Sequence, residues 1–146
     1  MFMIPQLRKD ILRIGLKEDE DITDSFMYHL QHIMAYLQES EKEYCDPTGF
    51  CYAFKDWDGS PTNVMVQKDT NEFLNMLFDR VDTYVQGTQQ EIVLKKHLGG
   101  VFANQLIGTG NGCTHSNERS EDFYCITLNV KDKKNIIQSL ESFVSG

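Results

Sequence analysis

The sequence predicts an α+β fold, with a mainly helical part over residues 1–98 followed by strands and one closing helix over residues 99–146. Two observations lead to this prediction. Apolar residues recur at helical spacing in the first part, and after Gly99 and Gly100 they alternate with polar residues as in strands. The chain has 146 residues, of which 40% are hydrophobic, so it can bury a core and fits one domain or part of one.

The first 43 residues predict an apolar opening, a loop and a helix. Residues 1–16 are so densely apolar that we expect a preceding element to cover them, and the charged run 17–24 predicts a solvated loop. A helix is predicted from Ser25 to about Glu43, with Thr23 or Asp24 as its cap. Its predicted buried face consists of Phe26, Leu30, Ile33, Met34 and Leu37.

The strongest helical pattern runs over residues 67–85. Asp69 and Glu72 are spaced as a capping box, in which each side chain satisfies a free backbone N–H at the start of the helix. Gly87 follows the last apolar position, where a left-handed residue is expected. The predicted apolar stripe consists of Phe73, Leu74, Leu77, Phe78, Val81, Tyr84 and Val85.

The other elements have shorter signals. Residues 46–49 predict a turn before one or two helical turns, and residues 91–97 fit either a helical turn or a strand. Strands are predicted over residues 101–107 and 121–130, with a flexible tip over 108–112, and Asn135 can cap a final helix. We expect residues 1–146 to form a single, partial domain.

Charge and cysteine usage limit the possible partners and compartments. The net charge is −8, so nucleic acid is an unfavourable partner and a basic protein is a better one, although acidity is also common among cytosolic proteins. No signal peptide or membrane-length apolar run is visible, and the four cysteines form no disulfide-like framework. These features predict an intracellular protein of the cytoplasm or nucleus, without membrane binding and with free thiols.

One pair of histidines has a spacing that metal sites use. His29 and His32 lie three residues apart on the predicted second helix, so both imidazoles point to one side of it. The sequence offers no third ligand at a matching spacing, and a closed site needs four. We therefore interpret both as ordinary surface or half-buried histidines.

Three blocks in a fixed order carry a family resemblance. They are residues 67–79, which open Gln-Lys-Asp-Thr-Asn-Glu-Phe; residues 99–107 with Cys113, His115 and residues 119–123; and residues 128–130 with 135–144. Together they resemble the ubiquitin-specific protease domain, whose hallmark reads Gln-x-Asp-Ala-x-Glu-Phe. Residues 1–8 are similar to the segment after the nucleophile box of the very large, fat-facets-type members. The resemblance implies a papain-related hand, with residues 1–98 in its thumb and the later strands starting palm and fingers.

The resemblance also implies a chemistry whose reacting groups these residues do not supply. The family cleaves the bond at the C-terminal glycine of ubiquitin with a thiol and an imidazole. None of the four cysteines lies in a nucleophile box and none of the four histidines in a Gly-Gly-His-Tyr context, so we assign no catalytic residue and predict no hydrolysis by this chain alone. Cys113 and His115 fall where many members begin a Cys₄ zinc site, but Gly108 replaces the first cysteine. We expect no metal and no cofactor.

The resemblance implies a binding role for the start of the central helix. Carried over, Asp69 and Glu72 would pair with arginines in the basic tail of ubiquitin, and Gln67 would help hold the cleft. The plainer interpretation is that the two acidic residues only cap the helix. Two other hypotheses stay open: a non-catalytic module that binds ubiquitin or another protein, and an all-helical adaptor with a fortuitous resemblance.

Overall fold

The computed structural model describes residues 1–108, 110 and 112–145, so residues 109 and 111 of the predicted tip lie outside the described residues. The chain divides into two compact units, Met1–His97 and Leu98–Gly146. Helices and strands occur together, which confirms the predicted α+β class. The elements are α1 Pro5–Leu12, α2 Phe26–Glu39, α3 Thr48–Ala53, α4 Thr70–Val85, α5 Val93–Leu98, β1 Gly100–Ile107, β2 Ser116–Phe123 and α6 Ile136–Val144.

The first unit contains a hydrophobic core to which all of its helices contribute. Phe54 lies near its centre, with its ring 5.4 Å from that of Phe50 and 5.3 Å from that of Phe73, measured between centroids. Stacked and tilted aromatic contacts at this spacing add to the free energy of burial. The most deeply buried apolar side chains are Leu7, Ile11, Met27, Phe54, Val81, Val85 and Leu94.

Helix α4 begins and ends as its sequence predicts. Asp69 is the N-cap, and its Oδ1 accepts hydrogen bonds from the backbone N–H groups of Asn71 (2.8 Å) and Glu72 (3.0 Å). Within the described residues, no bond from Glu72 back to the Asp69 N–H completes the capping box. Gly87 has φ +77° and is the third residue of a turn closed by Thr88 N and Val85 O at 3.0 Å, so its left-handed backbone is confirmed.

Helix α2 is shorter than predicted and has a different cap. It ends at Glu39, and its N-cap is the buried Ser25, whose Oγ accepts a hydrogen bond from Tyr28 N at 3.2 Å. The predicted caps, Thr23 and Asp24, were wrong because they lie in the turn that precedes the helix. The predicted buried face was also partly wrong, since Leu37 is exposed and Met27 is fully buried.

The charged loop over residues 17–24 is anchored to α4. Tyr84 Oη donates a hydrogen bond of 2.5 Å to Glu20 Oε2 and accepts one of 3.3 Å from Lys17 N. The Lys17 ammonium lies 4.8 Å from the centre of the same ring. Burial of the phenol and its bond to Glu20 raise the pKa of Tyr84 to about 12. This segment is therefore more than the plain linker that its charges suggest.

The Asp10 carboxylate on α1 contacts two side chains of α5. Asp10 Oδ2 lies 2.8 Å from His97 Nε2 and 2.9 Å from Lys96 Nζ. The hydrogen bond from His97, followed by that from Lys96, lowers the pKa of Asp10 to about 2. Residues 93–98 are helical, which decides the ambiguity at residues 91–97 and presents both side chains to Asp10.

The second unit contains an antiparallel hairpin. The pairing of β1 with β2 runs from Gly100 opposite Phe123 to Ile107 opposite Ser116. The Phe123 ring lies over Gly100, where a Cβ would fall 2.3 Å from its Cζ atom, and its centroid is 4.0 Å from that of Phe102. Any side chain at position 100 would therefore force this ring to move.

The predicted second strand was placed too late in the chain. A strand was predicted over residues 121–130, but β2 begins at Ser116 and ends at Phe123. Residues 125–130 alternate in the sequence without pairing to a strand among the described residues, and the polar residues from Ser116 on pair because β1 fixes the register. The final helix α6 is capped as predicted, with Asn135 Oδ1 accepting from Gln138 N at 3.0 Å.

Candidate functional site

The three residues predicted to face a partner lie together at the start of α4, and all are exposed. Gln67 belongs to the segment that leads into the helix, Asp69 is the N-cap, and Glu72 lies in the first turn. The backbone bond from Glu72 N to Asp69 Oδ1, 3.0 Å long, holds the last two in a fixed relation. The Glu72 carboxylate makes no hydrogen bond or ion pair with any residue that the structure describes. An unpaired exposed carboxylate is free to bind a cation.

A small hairpin over residues 54–62 stands beside this edge. Asp56 N donates to Ser60 O (2.8 Å), Thr62 N donates to Phe54 O (3.1 Å), and Lys55 pairs with Pro61 across the hairpin. At its tip Gly59 has φ +80°, a conformation that a residue with a side chain rarely adopts. The hairpin is thus a defined turn and not a loose loop.

Two cations attach this hairpin to α4 and to the segment before it. Lys68 Nζ lies 2.5 and 2.6 Å from the two carboxylate oxygens of Asp56. Arg80 Nη2 donates to the backbone oxygens of Lys55 (3.0 Å) and Asp56 (3.2 Å). The Arg80 Cζ atom is also 6.0 Å from the centre of the Trp57 ring. The hairpin is therefore held both through the Asp56 carboxylate and through the backbone carbonyl groups of Lys55 and Asp56.

A groove of about 250 Å³ lies between the hairpin and α4. Hydrogen bonds from Lys68 and then Thr62 lower the pKa of Asp56, and bonds from Ser60 lower that of Asp58, so both groups are carboxylates at neutral pH. The groove therefore combines negative charge with apolar and aromatic surface. It is lined by Asp56, Trp57, Asp58, Lys68, Glu72, Phe73 and Met76.

A second groove in the first unit lacks charge. It has a volume of about 540 Å³ and lies against α3. Tyr52, exposed to the same degree as Trp57, is its largest side chain. Its lining contains no Asp, Glu, Lys, Arg or His, and consists of Pro47, Thr48, Cys51, Tyr52, Pro61, Thr62, Asn63 and Val64. This groove offers a basic partner no counter-charge.

The thiols and imidazoles do not form a reacting pair in the part of the chain that the structure describes. Cys45 and Cys51 are half-buried, and Cys113 and Cys125 are exposed, but none lies within hydrogen-bonding distance of a histidine there. The histidines have other neighbours: His29 Nε2 is 3.1 Å from Thr23 O, and His97 is bound to Asp10.

The residues where the resemblance places a zinc site supply at most two donors. A Cβ at Gly108 would fall 2.3 Å from Cys113 Sγ, so the thiol occupies the space of a side chain at that position. Cys113 and His115 could supply two donors, whereas tetrahedral zinc needs four. Over residues 1–108, 110 and 112–145, no group of three or more potential ligands converges.

Comparison with known proteins identifies the family. The family model described as ubiquitin carboxyl-terminal hydrolase matches residues 1–138. The chain is 34% identical over 147 aligned residues to ubiquitin carboxyl-terminal hydrolase 9X of Mus musculus, and 33% identical to hydrolase 9Y of Homo sapiens. It is 30% identical to hydrolase 24 of Mus musculus over 146 residues. All of this chain is aligned in each case.

The chain belongs to the ubiquitin carboxyl-terminal hydrolase family, and its fold is a fragment of that papain-like domain. The resemblance to the fat-facets-type members is thereby confirmed, since hydrolases 9X and 9Y are among the best matches. The chain spans about 6% of the length of these relatives. In the described residues, every helix is too short or too polar to cross a bilayer.

Sequence reasoning located the exposed edge of α4 but missed the hairpin beside it. Lys68 occupies a variable position of the hallmark, and no sequence pattern assigns a role to Asp56, Trp57 or Arg80. The Trp-Asp-Gly-Ser-Pro run does indicate a turn. No local pattern, however, relates Asp56 to Lys68 twelve residues later or Lys55 to Arg80 on the next helix.

Proposed function

We propose that this chain is the ubiquitin-facing segment of a thiol-dependent deubiquitinase, which in its complete form hydrolyses the bond at the C-terminal glycine of ubiquitin. Asp69 and Glu72 pair with arginines of the basic ubiquitin tail, and Gln67 helps to hold the cleft. The observation that carries the proposal is the exposure of all three residues at the start of α4, on a scaffold of this family.

The capping role of Asp69 is compatible with binding. Its Oδ1 accepts both backbone bonds at the helix start, and a carboxylate has further lone pairs on its second oxygen. Arginine–carboxylate bonds are charge-assisted and depend on geometry, which suits a fixed N-cap. The net charge of −8 adds long-range attraction for a basic partner.

The same proposal assigns no hydrolysis to these 146 residues by themselves. The reaction needs a thiolate paired with an imidazole, and the free thiols described above have no such neighbour within the described residues. A fluorogenic substrate made from the ubiquitin C-terminus provides the test. We expect no turnover, and turnover that is lost on substituting one of the four cysteines would show that the nucleophile is present after all.

Binding is tested by titrating ¹⁵N-labelled ubiquitin with the chain. Asp69→Asn is the informative variant, because asparagine caps a helix as well as aspartate but carries no charge. We expect Asp69→Asn and Glu72→Gln each to weaken binding about fivefold, an effect of about 1 kcal/mol. Asp79→Asn removes an exposed charge from the same helix and serves as the matched control.

Two outcomes would contradict the proposal. Wild-type chain that leaves the ubiquitin spectrum unchanged at millimolar concentration would remove the binding role. Equal affinities for wild type, Asp69→Asn and Asp79→Asn would mean that Asp69 only caps the helix. Weakening of wild-type binding with rising salt is expected in addition, since exposed charge pairs are screened.

A further inference from the structure

We propose that the hairpin over residues 54–62 is a second wall of the ubiquitin-binding edge, with the Trp57 ring receiving an arginine side chain of the basic tail. Lys68 and Arg80 are positioning residues that hold this wall against α4. The inference rests on the proposed function, because it takes the basic tail as the partner. It adds one contact residue and two positioning residues that neither the family hallmark nor the sequence pattern supplies.

The charge of the groove selects a cation. Of the four charged residues that line it, only Lys68 is positive, and its ammonium is neutralised by Asp56 at 2.5 and 2.6 Å. The carboxylates of Asp58 and Glu72 remain, so the lining residues have a net negative charge, with the Arg80 guanidinium outside the lining at 6.0 Å from the centre of the Trp57 ring. Glu72 belongs to the proposed ubiquitin contacts, which makes the groove continuous with that edge.

The aromatic wall selects a guanidinium over an ammonium. The Trp57 side chain is 68% exposed, although indole is among the side chains with most to gain from burial. A guanidinium is planar and weakly hydrated, so it can stack on an indole while it bonds to a carboxylate. The groove offers both surfaces, the ring of Trp57 on the hairpin and the carboxylate of Glu72 on the helix.

The position of Trp57 depends on contacts outside the groove. Arg80 Nη2 binds the two carbonyl oxygens that precede Trp57, at 3.0 and 3.2 Å, and Lys68 binds the Asp56 side chain. Arg80 Nε is buried without a hydrogen-bond partner among the described residues. A buried, unsatisfied guanidinium nitrogen costs stability, so we interpret Arg80 as a residue that fixes the hairpin backbone.

The contact is tested by titrating ubiquitin against Trp57→Leu and Tyr52→Leu. Tyr52 is 67% exposed and lines the uncharged groove, so it is the matched control. We expect Trp57→Leu to weaken binding about three- to fivefold, as for an exposed cation–π contact, with partial recovery in Trp57→Phe and no effect of Tyr52→Leu. Ubiquitin whose tail arginines are replaced by glutamine should bind Trp57→Leu and wild type alike.

The titration separates the failure of this inference from that of the proposed function. No binding by wild-type chain overturns both. Binding that is weakened by Asp69→Asn but unchanged by Trp57→Leu overturns only the second wall. Equal weakening by Trp57→Leu and Tyr52→Leu also overturns it, because the effect then does not depend on the charged groove.

The positioning roles of Lys68 and Arg80 are tested by whether their variants bind ubiquitin more weakly or more strongly than the wild-type chain. Lys68→Met removes a positive charge, which would by itself strengthen the binding of a cation, whereas loss of the wall weakens it. We expect about threefold weaker binding, recovery in Lys68→Arg, and a changed emission of Trp57, the single tryptophan of the chain. Arg80→Met should act in the same direction. Stronger binding by Lys68→Met, or a lowered Tm with unchanged emission and affinity in both variants, would refute the positioning roles.

Discussion

The two units of the chain use apolar residues in different ways. In the first unit many of them are enclosed in a core while others stay exposed, and every buried hydrophobic side chain among the described residues lies there. In the second unit the hairpin and α6 leave large apolar side chains exposed, including Leu106, Ile107, Ile137 and Val144. Both units have amphipathic patterns, so pattern alone does not create a core. A two-stranded sheet with one helix offers too little surface to enclose its own apolar residues.

Substituting one phenylalanine in each unit would test this difference with the largest expected effect. Phe54 is 1% exposed and contacts three other rings, whereas Phe143 on α6 is 44% exposed. We expect Phe54→Ala to lower the free energy of unfolding by about 3–5 kcal/mol and Phe143→Ala by less than about 1 kcal/mol. Urea unfolding followed by circular dichroism measures both. Equal losses would show that the second unit has a core of comparable quality.

Replacing Tyr84 by phenylalanine would examine a polar contact inside the first unit. The change removes only the hydroxyl that binds Glu20, so we expect a loss of about 1.5 kcal/mol and faster amide exchange over residues 17–24. Because the pKa of Tyr84 is raised to about 12, its contribution is complete below pH 10 and is lost as the pH rises from 10 to 12. The Tyr84→Phe variant should not show this part of the stability loss between pH 10 and 12. Unchanged amide exchange over residues 17–24 in this variant would contradict the role of Tyr84 in anchoring that loop.

The smallest effects compare one hydrogen-bonded carboxylate from each unit. Asp10 has an ordinary pKa of 3.8, lowered to about 2, so its contribution is present above pH 4 and lost as the pH falls toward 2. Allowing for solvent screening, we expect Asp10→Asn to cost about 1 kcal/mol at pH 7 and almost nothing at pH 2. In the second unit Glu118 accepts an exposed bond from Gln105 at 2.7 Å, and Glu118→Gln should cost less than about 0.5 kcal/mol. Thermal unfolding at both pH values measures the difference, and a pH-independent cost for Asp10→Asn would contradict the assignment.

Local signals predicted the helices well because a helix satisfies its backbone within itself. The caps of α4 by Asp69 and of α6 by Asn135 were both correct. The predicted stripe of α4 was correct from Leu77 on, but it missed the buried Met76, and Phe73 and Leu74 are only half-buried. The extent of β2 could not be read in this way, since the polar residues from Ser116 on become a strand only by pairing with β1. The buried cap Ser25 was missed because three adjacent residues are all good caps.

The candidate site was predicted only where it depends on one helix. Asp69 and Glu72 are neighbours through helical spacing, so their common exposure followed from the sequence. The groove depends on contacts between separate segments, such as Asp56 with Lys68 and Lys55 with Arg80. Such contacts are fixed by packing, which leaves no periodic trace in the sequence. The ubiquitin-facing role itself stays a prediction.

The Phe123 ring over Gly100 has a consequence for how the second unit tolerates mutation. Most positions of β1 and β2 point into solvent, and a library of variants should accept many residue types there. Gly100 should accept far fewer, because even alanine would place a carbon 2.3 Å from the ring and force it to move. The most constrained position of this hairpin is therefore the one that has no side chain, and deep mutational scanning would find it as an isolated intolerant site in a permissive strand.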